Sequence, residues 1–143
     1  MYAEVVENGD AIWAETTSGG LLRQLFGFYP TLHDAVVDSI SFDRSEDSLT
    51  MDVDYSDGEP GESHFRVRMR LIWMGVLEVD LSADDRYLYD VQFVRSGEFL
   101  ETKMDGGYGI RGKIVSEGFE AVLDKVDPPD REETRQPLRI RYQ

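Results

Sequence analysis

No cysteine occurs in the 143 residues, which excludes disulfide staples, thiolate zinc sites and a cysteine nucleophile. Histidine is almost as scarce. His33 and His64 are the two in the chain, and no HxH, HxxxH or HExxH spacing gives them the form of a metal motif. Long apolar runs are missing too: nothing approaches the roughly 20 residues of a membrane-spanning helix. The opening MYAEVVENGDAIWAE has neither the basic flank nor the apolar core of a secretory signal. A soluble, cytoplasmic protein is the expectation.

Bases are in short supply. Lys and Arg number 15 against 29 Asp and Glu, for a formal charge of -14. The shortage is uneven: through residue 63, fourteen acids face only Arg23 and Arg44. Such a field repels nucleic acid and anionic membranes and speeds encounter with a basic partner. The same surplus also serves plain solubility.

What is present is enough for a core. Hydrophobic residues make up 41%, with seven Phe, seven Tyr and two Trp, a composition that disordered chains do not have. One domain, 1–143, is expected. Within it, 1–20 is an N-terminal segment, 21–126 the core, and 127–143 a charged connector with a possible edge strand.

In the N-terminal segment Trp13 is expected to dock on something apolar. Leu21, Leu22, Leu25 and Phe26 then recur at helical spacing, Gly27 stands where a glycine cap would end that helix, and Pro30 prevents its restart. From Asp34 the period changes to two, the mark of strands with one covered face. Val36, Ile40 and Phe42 are set against Val37, Ser39 and Ser41. After the polar turn RSED, Leu49, Met51, Val53 and Tyr55 alternate with Thr50, Asp52 and Asp54, so the pair reads as a hairpin. SDGEPGES is a loop by composition.

The next strand sets Phe65, Val67, Met69, Leu71 and Trp73 against His64, Arg66, Arg68 and Arg70. Asp52 and Asp54 stand ready to pair with these arginines across the strands. Alternation continues through Leu77, Val79 and Leu81, through Tyr87 to Phe93, through Phe99 to Met104 and through Ile110 to Val115. FEAVLDKV, 119–126, reads as a strand, although Phe119, Val122, Leu123 and Val126 would also suit a helix. Leu138, Ile140 and Tyr142 alternate in a final segment. The fold class is therefore α+β, a predominantly antiparallel sheet of about seven to nine strands with one or two short helices.

Residues able to carry chemistry are few. His33 and Asp34 are adjacent and would point to opposite faces of an extended chain, so a catalytic pair needs a turn, or Tyr29 or Asp38 as helper. The alternative is a structural corner in which His33 bonds a loop carbonyl and Asp34 caps the approach to the strand. The acidic run from Asp52 resembles a calcium loop only loosely, since glycine at the sixth place and glutamate at the twelfth are lacking. DGGYGIRG has no phosphate-loop lysine and reads as a tight turn. No cofactor, metal or catalytic residue is expected.

The segment LLRQLFGFYPTLHDAVVDSISFDR, a short helix ending in glycine followed by aromatic-Pro-x-x-His-Asp-Ala, resembles the immunity protein 50 family of bacterial polymorphic toxin systems. FRVRMRLIWMGVLEVDLS is similar to that family's central strand pair, and YGIRGKIVSEGFEAVLDKVDP to its closing hairpin. His33, Asp34 and Ala35 match the motif, whereas Leu32 and Val36 depart from the Phe and Glu common there. The resemblance implies a non-enzymatic protein that neutralises a cognate toxin by tight binding. Joined to the charge asymmetry, it makes a basic toxin the expected partner and Asp43, Glu46, Asp47, Asp52, Asp54, Asp57, Glu59 and Glu62 the expected contacts. Two other readings stand beside it: a small hydrolase or isomerase built on His33, and a module that self-associates as a homo-oligomer through 138–142.

Overall fold

The computed structural model describes residues 9–56 and 65–127. Within them the chain forms two short helices and eight antiparallel strands: α1 (Gly9–Ala14), α2 (Gly19–Phe26), β1 (Val36–Asp43), β2 (Ser48–Ser56), β3 (Arg66–Met74), β4 (Glu78–Ala83), β5 (Asp90–Ser96), β6 (Phe99–Asp105), β7 (Ile110–Ser116) and β8 (Gly118–Asp127). The α+β class is as the sequence implies. The strands do not make one sheet but two, in the orders β1-β2-β3-β8 and β4-β7-β6-β5. Two four-stranded layers bury two apolar faces against each other, which one open sheet of eight would leave to water.

The alternation in β2 and β3 is realised without a break. Leu49, Met51, Val53 and Tyr55 are buried, as are Val67, Met69, Leu71 and Trp73. In register, Leu49 faces Trp73 and Val53 faces Met69, and directly opposed residues share a sheet face. The second sheet answers with Phe93, Leu100, Thr102, Met104, Ile110 and Ile114. Trp73 donates its indole N–H to Thr102 Oγ1 at 2.9 Å across the layers.

Helix α2 begins two residues earlier than expected and ends where glycine dictates. Gly27 sits at φ 88 and its N–H bonds to the Arg23 carbonyl at 2.8 Å. Helix α1 has no counterpart in the sequence reading; six residues are too few to show a periodicity. Trp13, on α1, is 3% exposed and meets the rings of Phe93 and Phe119 edge-on. The Thr16–Ser18 link is then pinned to β8: the Ser18 N–H bonds to the Ala121 carbonyl, and Ser18 Oγ accepts the Leu123 N–H at 2.8 Å.

Three strand phases differ from the simple alternation. In β1 the register shifts between Val37 and Ser39, so Asp38 is a bulge residue. Val37 is buried beside Val53, Val36 turns outward, and Ile40 and Phe42 fall on the inner face opposite Met51 and Leu49. In β8 a shift between the partners of Arg68 and Met69 makes Asp124 the extra residue. The bulge returns Val126, three residues after Leu123, to the inner face, whereas Val122 pairs with Arg70 on the outer face and is exposed, so the helix-like spacing of Phe119, Val122, Leu123 and Val126 mixes residues of both faces. Finally, β5 starts at Asp90 rather than Tyr87. Tyr87 forms a lone bridge to Val36, and Leu88, which lies out of phase with Tyr87, Tyr89, Val91 and Phe93, is fully buried.

The two layers are offset. β7 packs opposite β3 and β6 opposite β8, so β5 projects beyond one margin and β1 beyond the other. The β5 margin is covered by α1. At the other margin Ile40 and Phe42 are 46% and 48% exposed although they point inward. The possible final strand, 138–142, lies outside the described residues.

Candidate functional site

The eight acids singled out from the sequence fall into three groups. Asp43, Glu46 and Asp47 belong to the turn between β1 and β2 and are exposed. The Asp43 carboxylate accepts the Ser45 hydroxyl at 2.8 Å and the Ser45 N–H at 3.0 Å, and these bonds hold its carboxyl below the usual carboxylate range. Asp47 adopts a left-handed conformation, φ 52, which closes the turn and aims its carbonyl at the Val76 N–H, 2.8 Å away. The Glu117 N–H in turn bonds to the Met74 carbonyl at 3.0 Å. Three turns are thereby tied together at one end of the molecule, displaying Asp43, Glu46, Asp47 and Glu117, with Arg44 the base in that first turn and Met74 exposed beside them.

Asp52 and Asp54 form the second group, and they are engaged. Arg70 donates Nε–H to Asp52 at 2.8 Å, and Arg66 donates Nε–H to Asp54 at 3.0 Å. The Arg70 bond, aided by the Ser39 hydroxyl, outweighs partial burial and lowers the Asp52 pKa. These two carboxylates therefore contribute little free negative field to a partner. The pairing expected from the sequence is present; the two roles foreseen for these acids compete, and the arginines take both. Asp57, Glu59 and Glu62, the third group, lie outside the described residues, as does His64.

Arg68 finds a partner that the sequence did not suggest for it. Its guanidinium reaches Asp38 Oδ2 at 2.6 Å, and Asp124 lies close enough to act on both Arg68 and Arg70 through space. Asp38 and Asp124 are the two bulge residues, one on each edge of the first sheet. A groove of about 260 Å3 lined by Asp38, Asp52, Arg68, Arg70 and Asp124 runs between them. Two of its three carboxylates, Asp38 and Asp52, are paired with Arg68 and Arg70, so most of its negative charge is compensated within the groove. Periodicity cannot find such residues, because a bulge places its residue by breaking the period.

The His33–Asp34 pair sits at a corner made by two left-handed residues, Leu32 at φ 64 and Asp34 at φ 66. Leu32 and Ala35 are buried, and the Asp34 N–H bonds to the Leu88 carbonyl at 2.8 Å. His33 Nε2 stands 3.7 Å from Asp34 Oδ2, both side chains exposed, which is beyond hydrogen-bond length. Its Nδ1 lies 3.3 Å from the Tyr89 carbonyl. Asp38, the possible helper, is taken by Arg68. The corner is held by backbone bonds to 86–88, and His33 and Asp34 ride on it. Of the motif positions, Ala35 has the plainest structural reason: it is fully buried, with its N–H bonded to the Leu32 carbonyl and its own carbonyl accepting the Leu88 N–H.

Among the described residues no three His, Asp or Glu side chains come together in a way that could hold a metal ion, and no helix is long and apolar enough to cross a membrane. No family model, curated protein or solved structure matches the chain.

Proposed function

We propose that the chain is a cytoplasmic, non-enzymatic binding protein of the immunity type, which neutralises a toxin by docking the toxin's basic surface on the acidic turn end. The observation that carries this reading is the tying of three turns by the Val76 and Glu117 N–H bonds. They hold Asp43, Glu46, Asp47 and Glu117 around the exposed Met74. An apolar centre whose rim carries four acids to the one base Arg44 suits a protein partner of the opposite sign. The contact set is narrower than the sequence suggested, because Asp52 and Asp54 are occupied by arginines. The family resemblance supplies the toxin; the charge and the pre-tied turns supply the mode of capture.

The test is co-expression with the toxin domain encoded beside this chain. Rescue of growth is expected, with association slowed about tenfold or more and made less salt-sensitive when Asp43, Glu46 and Asp47 are all changed to Lys. Absence of binding, or an association rate indifferent to that triple change, overturns the proposal.

A further inference from the structure

The His33–Asp34 corner, which docking on the acidic turn end leaves unused, carries more aromatic surface than a structural corner needs. His33 lies against Tyr89 with ring centroids 5.5 Å apart, and Tyr89 meets Tyr87 at 5.2 Å and 88°. Rings set at right angles turn one face each toward the angle between them, and the face is the negative pole of an aromatic ring. Carboxylates stand beside that angle. Asp34 Oδ2 is 3.7 Å from His33 Nε2. The Tyr87 phenol is held above its ordinary range, first by its hydrogen bond to the Tyr89 side chain and further by the negative charges of Asp85 and Asp34. Both tyrosines are half-buried, so each ring is wedged in place with part of it open to water, and His33 and Asp34 are exposed. Among the described residues the one guanidinium set over an aromatic ring is that of Arg23, on Tyr29 at 5.5 Å.

We propose that Tyr87, Tyr89 and His33, with Asp34 beside them, form a binding site for a methylated ammonium group. A rounded, weakly hydrated cation can touch two perpendicular faces at once. A flat guanidinium stacks on a single face, and a primary ammonium is strongly hydrated and costs more to strip of its water. The frame that holds the rings is preorganised. Leu32 and Asp34 take left-handed conformations on either side of His33, which a leucine adopts only where its surroundings enforce it. Main-chain bonds enforce it here, joining Asp34 to Leu88, Leu88 to Ala35 and Ile110 to Tyr87. The turn at Gly107 backs the Tyr89 ring, since a Cβ added there would lie 3.7 Å from Tyr89 Cε2. The same cationic head occurs on free choline and on a trimethylated lysine side chain, and the assay below separates the two. The inference is independent of the immunity reading: this corner precedes β1, whereas the acidic turn follows it.

The full-length protein, isotope-labelled in its tyrosine and histidine rings, is titrated by NMR at constant ionic strength with choline chloride and with a capped peptide of one trimethylated lysine between two alanines. Dimethylbutanol, the uncharged isostere of choline, is the control. Saturable shifts are expected at Tyr87, Tyr89 and His33 and not at Tyr55 in the core. The cation that binds more tightly identifies the source, a free molecule for choline and a modified side chain for the peptide. Tyr89→Leu should weaken binding roughly three- to tenfold, and Asp34→Asn roughly two- to fivefold. Tyr87→Leu replaces Tyr89→Leu should that variant fold poorly. Equal shifts from dimethylbutanol and choline, no saturable shift with either cation, or indifference to both Asp34→Asn and the tyrosine change would each overturn the proposal.

Discussion

Removing one hydroxyl between the two sheets gives the sharpest test of how they are locked. Trp73 and Thr102 are both fully buried, and the indole N–H has its bond to Thr102 Oγ1 at 2.9 Å. Thr102 lies between Phe93 and Ile114 in the register of the second sheet. Thr102→Val keeps the branched shape but leaves the indole N–H buried without that acceptor, a loss of about 1–3 kcal/mol. At roughly 2–4 °C per kcal/mol for a chain of this size, the midpoint should fall by several degrees. Trp73→Phe removes the donor and opens a cavity beside Phe119, whose ring centroid is 5.2 Å from that of Trp73; it should cost roughly 2–4 kcal/mol. If the bond couples the sheets, the double variant is less destabilised than the sum of the singles by about 1 kcal/mol or more. The assay is urea unfolding at pH 7 followed by far-UV circular dichroism, a signal that does not depend on Trp73. A stability for Thr102→Val within about 0.3 kcal/mol of the parent, or strictly additive singles, refutes the reasoning.

Gly112 sits at φ 131, where an added Cβ would come 1.9 Å from the Asp80 carbonyl oxygen; Gly112→Ala should separate β4 from β7 and cost about 3 kcal/mol or more, seen as a collapse in thermal midpoint. Asp38→Asn unpairs Arg68 at a half-exposed site, so its effect should stay within about 1 kcal/mol and fade in 1 M salt; a larger loss would mean that the bulge itself depends on the charge. The Glu120 carboxylate is partly desolvated, which raises its pKa, but bonds from the Thr17 N–H and hydroxyl and the Ala121 N–H prevail and hold it below its ordinary 4.5. A folded value below the unfolded one means the contribution is complete above pH 4.5 and is lost as pH falls through the folded value. Glu120→Gln should thus be less stable than the parent at pH 7 by about 1 kcal/mol or less, with the gap closing below pH 4.5; a gap that persists in acid would point to packing instead.

Much of the candidate site was legible only in fragments. The hairpin of β1 and β2 and the arginine row of β3 follow from alternation, so the pairs Arg66–Asp54 and Arg70–Asp52 could be anticipated. That these bonds remove Asp52 and Asp54 from the acidic surface could not, because sequence lists charges without saying which neutralise each other. Asp38 and Asp124 escaped as a pair because each is an extra residue in a bulge. The tie between the turns at Asp47 and Gly75–Leu77 joins residues almost thirty positions apart through a backbone hydrogen bond, and such a bond is indifferent to side-chain identity. At His33 the sequence left two readings open; the left-handed Leu32 and Asp34 make a corner held by main-chain bonds.

By itself the order of residues determined the α+β class, most strand positions, the glycine stop of α2 and the concentration of acid in the first half. These are local properties: periodicity, backbone preference and charge count are complete within a few neighbours. Tertiary structure alone decided that the strands divide into two layers, that the layers are offset by one strand, and that some carboxylates are bonded while others face water. Those outcomes depend on which faces meet across tens of residues, and burial is a property of the meeting rather than of either strand.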